Sequence, residues 1–136
     1  MPDLQQLQAI LEPLFPGLLG VRLREASADR VVAEMAVRAE LCTTGQILHG
    51  GAQMAFADTL GAVGSFLTLP EGARTTTVES STKFIRGVPL GTTIVGTCTP
   101  VHRGRTTQVW QTELATADGK LCALVTQTQL TVPAAK

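Results

Sequence analysis

The chain holds 136 residues, 44% hydrophobic and 16% charged, with 11 basic and 11 acidic side chains. That length favours one domain, spanning 1–136, with a modest core, and the composition excludes a disordered chain. Zero net charge leaves no global field to recruit nucleic acid or an anionic membrane, and 4% aromatic content without tyrosine offers little for base stacking.

The balance conceals an asymmetry. Residues 1–82 carry nine acidic and five basic side chains, whereas 83–136 carry two and six. The later half offers either a local anion site or an ordinary solvated surface. Cys42, Cys98 and Cys122 have no metal-ligand or disulfide spacing, so they read as small buried residues and no metal site is expected. The first residues show no basic-then-apolar leader, which by default implies a cytoplasmic setting.

Asp3 is placed to cap a first helix, in which Leu4, Leu7, Ile10, Leu11 and Leu14 recur at helical spacing through residue 14. Phe15-Pro16-Gly17 is expected to end it, giving an N-terminal helix in 1–17 and a core in 18–132. Residues 19–26 alternate, with Val21 and Leu23 on one side and Arg22 and Arg24 on the other, and predict a strand. Residues 31–37 follow as its antiparallel return. A connection over 38–48, carrying Thr43, Thr44 and Gly45, delivers the chain to His49-Gly50-Gly51.

Residues 52–69 are dominated by Ala, Met, Phe, Leu, Val and Gly, and Asp58 is the only charge among them. Apolar residues on nearly every face predict a helix buried all round, about 27 Å long at ~1.5 Å per residue. The stretch approaches membrane-spanning length, but Asp58 at its middle, its glycines and the strand-like remainder oppose that reading. A carboxylate there costs several kcal/mol to keep ionised without partners. Either neighbours satisfy it or its state is put to use.

After Pro70-Glu71-Gly72 the pattern is all strand: 74–86, 92–101, 105–116 and 120–132, with Asp118-Gly119 a hairpin signal. The expected fold is α+β, an antiparallel sheet of about six strands with one dominant helix. One helix covers only one sheet face. Trp110, Leu114, Leu121 or their neighbours are assigned to the far face, so a second sheet or subunit is expected there, with a dimer as the minimum.

This order, with His-Gly-Gly at the start of the long helix and an acid nine residues after the histidine, resembles the hot-dog fold. Within it, the residues resemble thioesterases of the phenylacetate-pathway and 4-hydroxybenzoyl-CoA type. The match runs through Gly45-Gln46-Ile47-Leu48-His49-Gly50-Gly51 to Ala57-Asp58. It is supported by Thr82-Lys83-Phe84-Ile85-Arg86, Gly104-Arg105-Thr106-Thr107 and Asp118-Gly119-Lys120-Leu121-Cys122-Ala123. Thr43 departs from the pattern, because the family usually carries Asn or Gln six residues before the histidine.

The resemblance implies acyl-CoA hydrolysis by a homo-oligomer, at least a dimer, with pairing into tetramers left open. Coenzyme A would enter as part of the substrate, with no separate cofactor. Gly50 would offer its N–H to the carbonyl, and Asp58 of the other subunit would act as nucleophile or general base. Thr77 would be a supporting hydroxyl, with β propensity as the plain alternative, and Glu79 on the same strand parity a reserve carboxylate. His49 would orient the loop rather than serve as base. Arg86, Arg105, Thr106, Gly104, Lys83 and Arg103 are the candidates for the nucleotide phosphates, each with a solvated charge or turn as the plainer reading.

Two other functions compete. A hot-dog hydratase or dehydratase needs a histidine beyond the acid on the helix, and 59–69 has none. A module that holds acyl-CoA or an acyl carrier without turnover is the other. A serine triad from Ser65, Ser80 or Ser81 lacks the nucleophile-elbow glycines.

Overall fold

The computed structural model describes residues 2–135. The first helix, α1 (Leu4–Leu11), opens with a reciprocal cap: Gln6 N–H donates to the Asp3 carboxylate, and Asp3 N–H donates to the Gln6 side chain, both at 2.8 Å. It ends three residues earlier than the spacing predicts. Phe15-Pro16-Gly17 starts a second helix, α2 (Phe15–Leu19), rather than ending the first, because proline fits a helix's first turn. Gly20, at φ 83°, closes α2, and the first strand begins at Arg22 instead of residue 19.

The strands are β1 (Arg22–Ala26), β2 (Val31–Ala36), the short pair β3 (Cys42–Thr43) and β4 (Ile47–Leu48), then β5 (Arg74–Phe84), β6 (Thr93–Arg103), β7 (Thr107–Thr116) and β8 (Leu121–Val132). The β3–β4 hairpin lies inside the stretch expected to be a plain connection. Six strands form one antiparallel sheet in the order β1-β2-β6-β7-β8-β5, so β1 and β5 are its edges.

The long helix, α3 (Gly50–Phe66), lies against β2, β5, β6, β7 and β8, and the sheet wraps around it. Close approach is built into the sequence. A Cβ at Gly64 would sit 2.7 Å from the Trp110 ring. Phe56 and Leu60 from the helix pack with Met35, Ile94, Trp110 and Leu114 from the sheet, all fully buried.

Trp110 and Leu114 therefore face the helix, not the far side. Leu121 is 37% exposed at the start of β8. The far face carries half-buried Val32, Val95, Val109 and Leu124 among threonines and Glu113, so the residues that suggested a second layer do not supply one. The long unpaired edge of β5 is the more telling feature, since such edges invite pairing.

On β5 a bulge between Thr77 and Glu79 shifts the register: Thr77 opposes Gln129, while Glu79 opposes Thr128. Thr77 faces α3. Glu79 turns to the outer face beside Thr128 (3.4 Å), so the reserve carboxylate does not share Thr77's side.

Candidate active site

Asp58 sits half-buried in the middle of α3, and its neighbours satisfy it on one side. Thr77 Oγ1 donates to Asp58 Oδ1 at 2.6 Å, and Gln127 Nε2 donates to the same oxygen at 3.0 Å. Asp58 Oδ2 accepts no hydrogen bond among the described residues. One carboxylate oxygen is held and the other is left to act.

The polarity of the Thr77 hydroxyl is fixed from behind. Gln129 Nε2 donates to Thr77 Oγ1 at 2.6 Å, which turns the one Thr77 proton toward Asp58. Thr75 in turn donates to Gln129 Oε1 (2.9 Å), so Ser65 must be the donor in its 2.9 Å contact with Thr75. Every hydroxyl and amide from Ser65 through Thr75, Gln129 and Thr77 thus points its proton down the line to Asp58. Such a satisfied network in a low-dielectric interior is stiff.

Gln127 and Gln129 are 0% and 1% exposed. Gln127 Oε1 is a buried carbonyl without a partner, a defect that costs roughly 1–3 kcal/mol. Neither glutamine is among the residues the sequence pointed to. Their signal was available: in Val125-Thr126-Gln127-Thr128-Gln129 the amides fall on the same parity as buried Val125.

Asp58 opens into a cleft of about 430 Å³ between α3 and the N-terminal helices. Leu7, Leu11, Phe15, Ala62 and Phe66 supply apolar walls, and among the described residues Asp58 is the only charged one lining it. The N-terminal segment, which sequence reading gave no function, forms one wall.

The other candidate residues lie in separate places. At the start of α3, His49 is the N-cap, and Gly51 N–H donates to its Nδ1 at 2.8 Å. A Cβ on Gly51 would come within 2.9 Å of that nitrogen. With Gly51 capped, the Gly50 N–H has no partner among the described residues and sits at a helix N-terminus, where the dipole favours negative charge. The exposed Phe84 ring lies over Gly50, 3.1 Å from where a Cβ would stand. Thr43 is exposed on β3.

Arg86 lines a second cleft, of about 580 Å³, with Lys120, Thr93 and Thr116. Lys83 points to the outer face of β5, opposite Leu124. Gly104-Arg105-Thr106 forms the β6–β7 turn at the other end of the sheet, where Gly104 N–H is taken by Thr107 O (2.9 Å). Arg103 is committed to Ala28 O (2.8 Å) and the Asp29 carboxylate (2.9 Å), and so acts as a structural tie. Among the described residues no cluster of His, Cys, Asp or Glu suits a metal ion, and no helix is long and apolar enough to cross a membrane.

A six-stranded antiparallel sheet wrapped on one long helix, with an acid at mid-helix and a free N–H at its start, defines a hot-dog enzyme. The chain belongs to the Thioesterase superfamily, whose family model matches residues 45–123, and it is a thioester hydrolase. It is similar to thioesterase PA1618 of Pseudomonas aeruginosa: a crystal structure of a mutant of that protein superposes with a TM-score of 0.92 at 30% identity, covering 98% of this chain and 96% of the other. It is 30% identical to the 1,4-dihydroxy-2-naphthoyl-CoA hydrolase of Escherichia coli K12 over 119 residues, 88% of this chain and 87% of that one. It is also 33% identical to the proofreading thioesterase EntH of Cronobacter turicensis over 104 residues, 76% of this chain and 75% of that one.

Proposed function

We propose that the protein hydrolyses acyl-CoA thioesters to free acid and coenzyme A, as a dimer at minimum and without a cofactor of its own. One observation carries the reading. On the free edge strand β5, Thr77 touches Asp58 and the Phe84 ring covers Gly50. Antiparallel pairing of two β5 edges about an axis at Ser81, with Val78 taken up by the bulge, sets Thr77 of one protomer opposite Phe84 of its partner. Asp58 of one then faces the Gly50 N–H of the other. Within one chain the two stay about 12 Å apart along α3, too far to meet on a carbonyl that each must approach within about 3–3.5 Å.

In that site the Gly50 N–H and the helix terminus receive the developing oxyanion, a contribution of ~3–4 kcal/mol for one such donor. Asp58 Oδ2 has two routes. It attacks the carbonyl and expels the CoA thiolate, leaving a mixed anhydride that water opens, or it takes a proton from the water that attacks. Both consume one water, break the C–S bond and release acid and thiol. In a single turnover in isotopically labelled water, label on Asp58 identifies an anhydride opened by water at the Asp58 side-chain carbon, whereas the base route puts label in the acid and none on Asp58.

The cleft beside Asp58 has apolar walls and, among the described residues, no cation, which supports an uncharged aryl or short-to-medium acyl group. The relative that hydrolyses a naphthoyl-CoA supports the aryl end of that range. Arg86 and Lys120 share the second cleft with Asp118, which lies 3.9 Å from the Lys120 ammonium, and are the cations placed there for the nucleotide phosphates. The same axis brings Arg105 and Thr106 of the partner subunit toward Arg86. Three free thiols suit the reducing cytoplasm.

A thiol-release assay on aryl, medium-chain and acetyl esters of CoA tests the reading. Release is expected from the aryl or medium-chain esters and is lost in Asp58→Asn, which still binds them. Parental turnover by Asp58→Asn, or binding without release by the parent, contradicts it.

A further inference from the structure

Gln127 approaches Asp58 from β8, the strand beside the β5 edge, through the floor of the site. Its Nε2 donates to Asp58 Oδ1 at 3.0 Å and lies 3.4 Å from the Asp58 backbone carbonyl. The space for that amide is made by the helix. A Cβ at Gly61, one turn beyond Asp58, would fall 2.3–2.5 Å from the amide's carbon, oxygen and nitrogen.

Two local costs meet at this one side chain. A glycine stands in the middle of a helix, where alanine is the better former, and the amide's Oε1 is buried without a partner. Reversing the amide would not help, because it would aim a carbonyl oxygen at a carboxylate. A residue of the same size without polar atoms would remove the orphan and lose the donor on Oδ1 together with its longer contact to the Asp58 backbone carbonyl. What the costs secure is that donor.

We infer that Gln127 is a positioning residue for the thioesterase reaction: with Thr77 it pins Asp58 Oδ1, so that Oδ2 is the oxygen presented to the thioester or its water. Gly61 is the seat that lets it do so. The inference rests on the reading of Asp58 as the acting acid. Pinning one oxygen fixes the rotation of the carboxylate, and geometry of this kind is worth most at the moment of attack rather than in binding.

The test is Gln127→Met, close in size and without the donor, assayed by thiol release and thermal melting beside Asp58→Asn. The inference predicts a fall in kcat of about tenfold or more, KM within about twofold, and a Tm equal to or above the parent's. Gly61→Ala, which displaces the amide, should lower kcat in the same way with KM kept, and it serves if the methionine variant does not fold. Parental kcat in the folded Gln127→Met, with Asp58→Asn inactive, overturns this inference and leaves the role of Asp58 standing. Activity retained in Asp58→Asn removes the reading beneath it as well.

Discussion

Thr77 on the sheet edge donates a 2.6 Å hydrogen bond to Asp58 on the central helix, and it does so because Gln129 occupies its oxygen from the other side. The hydroxyl has one proton and only one place to send it. Thr77→Val removes the donor while keeping the β-branched shape. Turnover should fall about tenfold or more, the size expected for a hydrogen bond to a charged group, and Thr77→Ser should restore most of it. Equal loss in both variants would mean that packing, not the hydroxyl, matters.

The Gly51 N–H bond to His49 Nδ1 makes His49 a cap. His49→Ala should lower unfolding stability by ~1 kcal/mol, and His49→Asn, a good cap with no basic ring, should keep both stability and turnover. Denaturant melts and thiol-release rates on the two variants check this. An inactive but stable His49→Asn would argue for a role in proton transfer.

Ala62 lines the cleft beside Asp58. Ala62→Leu should depress kcat/KM for aryl and medium-chain esters by about tenfold while sparing acetyl-CoA, because the added methylenes fill space only a larger acyl group needs. Rates on matched esters decide it, and a uniform loss across chain lengths would place the acyl group elsewhere.

Burial pushes the Cys98 thiol up to about 11, from an ordinary value of 9. Below pH 9 folded and unfolded chains both hold the proton; between 9 and 11 the unfolded chain releases it while the folded chain keeps it. Stability should therefore fall with rising pH across that window, by at most about 1.4 kcal/mol per pH unit. Cys98→Ala should flatten that slope relative to the parent in melts at graded pH. An unchanged slope would assign the alkaline loss to other groups.

Much of this architecture was legible in the residues. The buried helix announced itself by apolar side chains on every face, and the strands by their alternation between glycine and proline breaks. Asp58 and Gly50 stood out because an acid in an apolar run and a glycine pair at its start are both costly without a purpose. What stayed hidden depended on register. The bulge after Thr77 sends Glu79 to the opposite face, and nothing in Thr77-Val78-Glu79 marks it. Pro16 reads equally as a helix stop or a first-turn residue, and the choice turned on how α2 packs. Trp110 could be put on either face by parity alone; the glycine that makes room for it, Gly64, lies on a different element. Gln127 and Gln129 look like surface residues until the strand's neighbours show that their face is the inside.

The proposed site joins Asp58 of one protomer to Gly50 of another, and mixed dimers test that directly. Gly50→Pro deletes the Gly50 N–H at a first-turn position preceded by an extended residue (His49 φ −62°, ψ 136°), with the exposed Phe84 ring giving way by a few tenths of an ångström. Asp58→Asn and Gly50→Pro should each be inactive alone. Unfolded together and refolded, they should recover about a quarter of parental turnover, because half the dimers are mixed and each mixed dimer has one intact site of two. No recovery, with mixed dimers demonstrably formed, would mean that both groups serve a site within a single chain and would contradict the shared site.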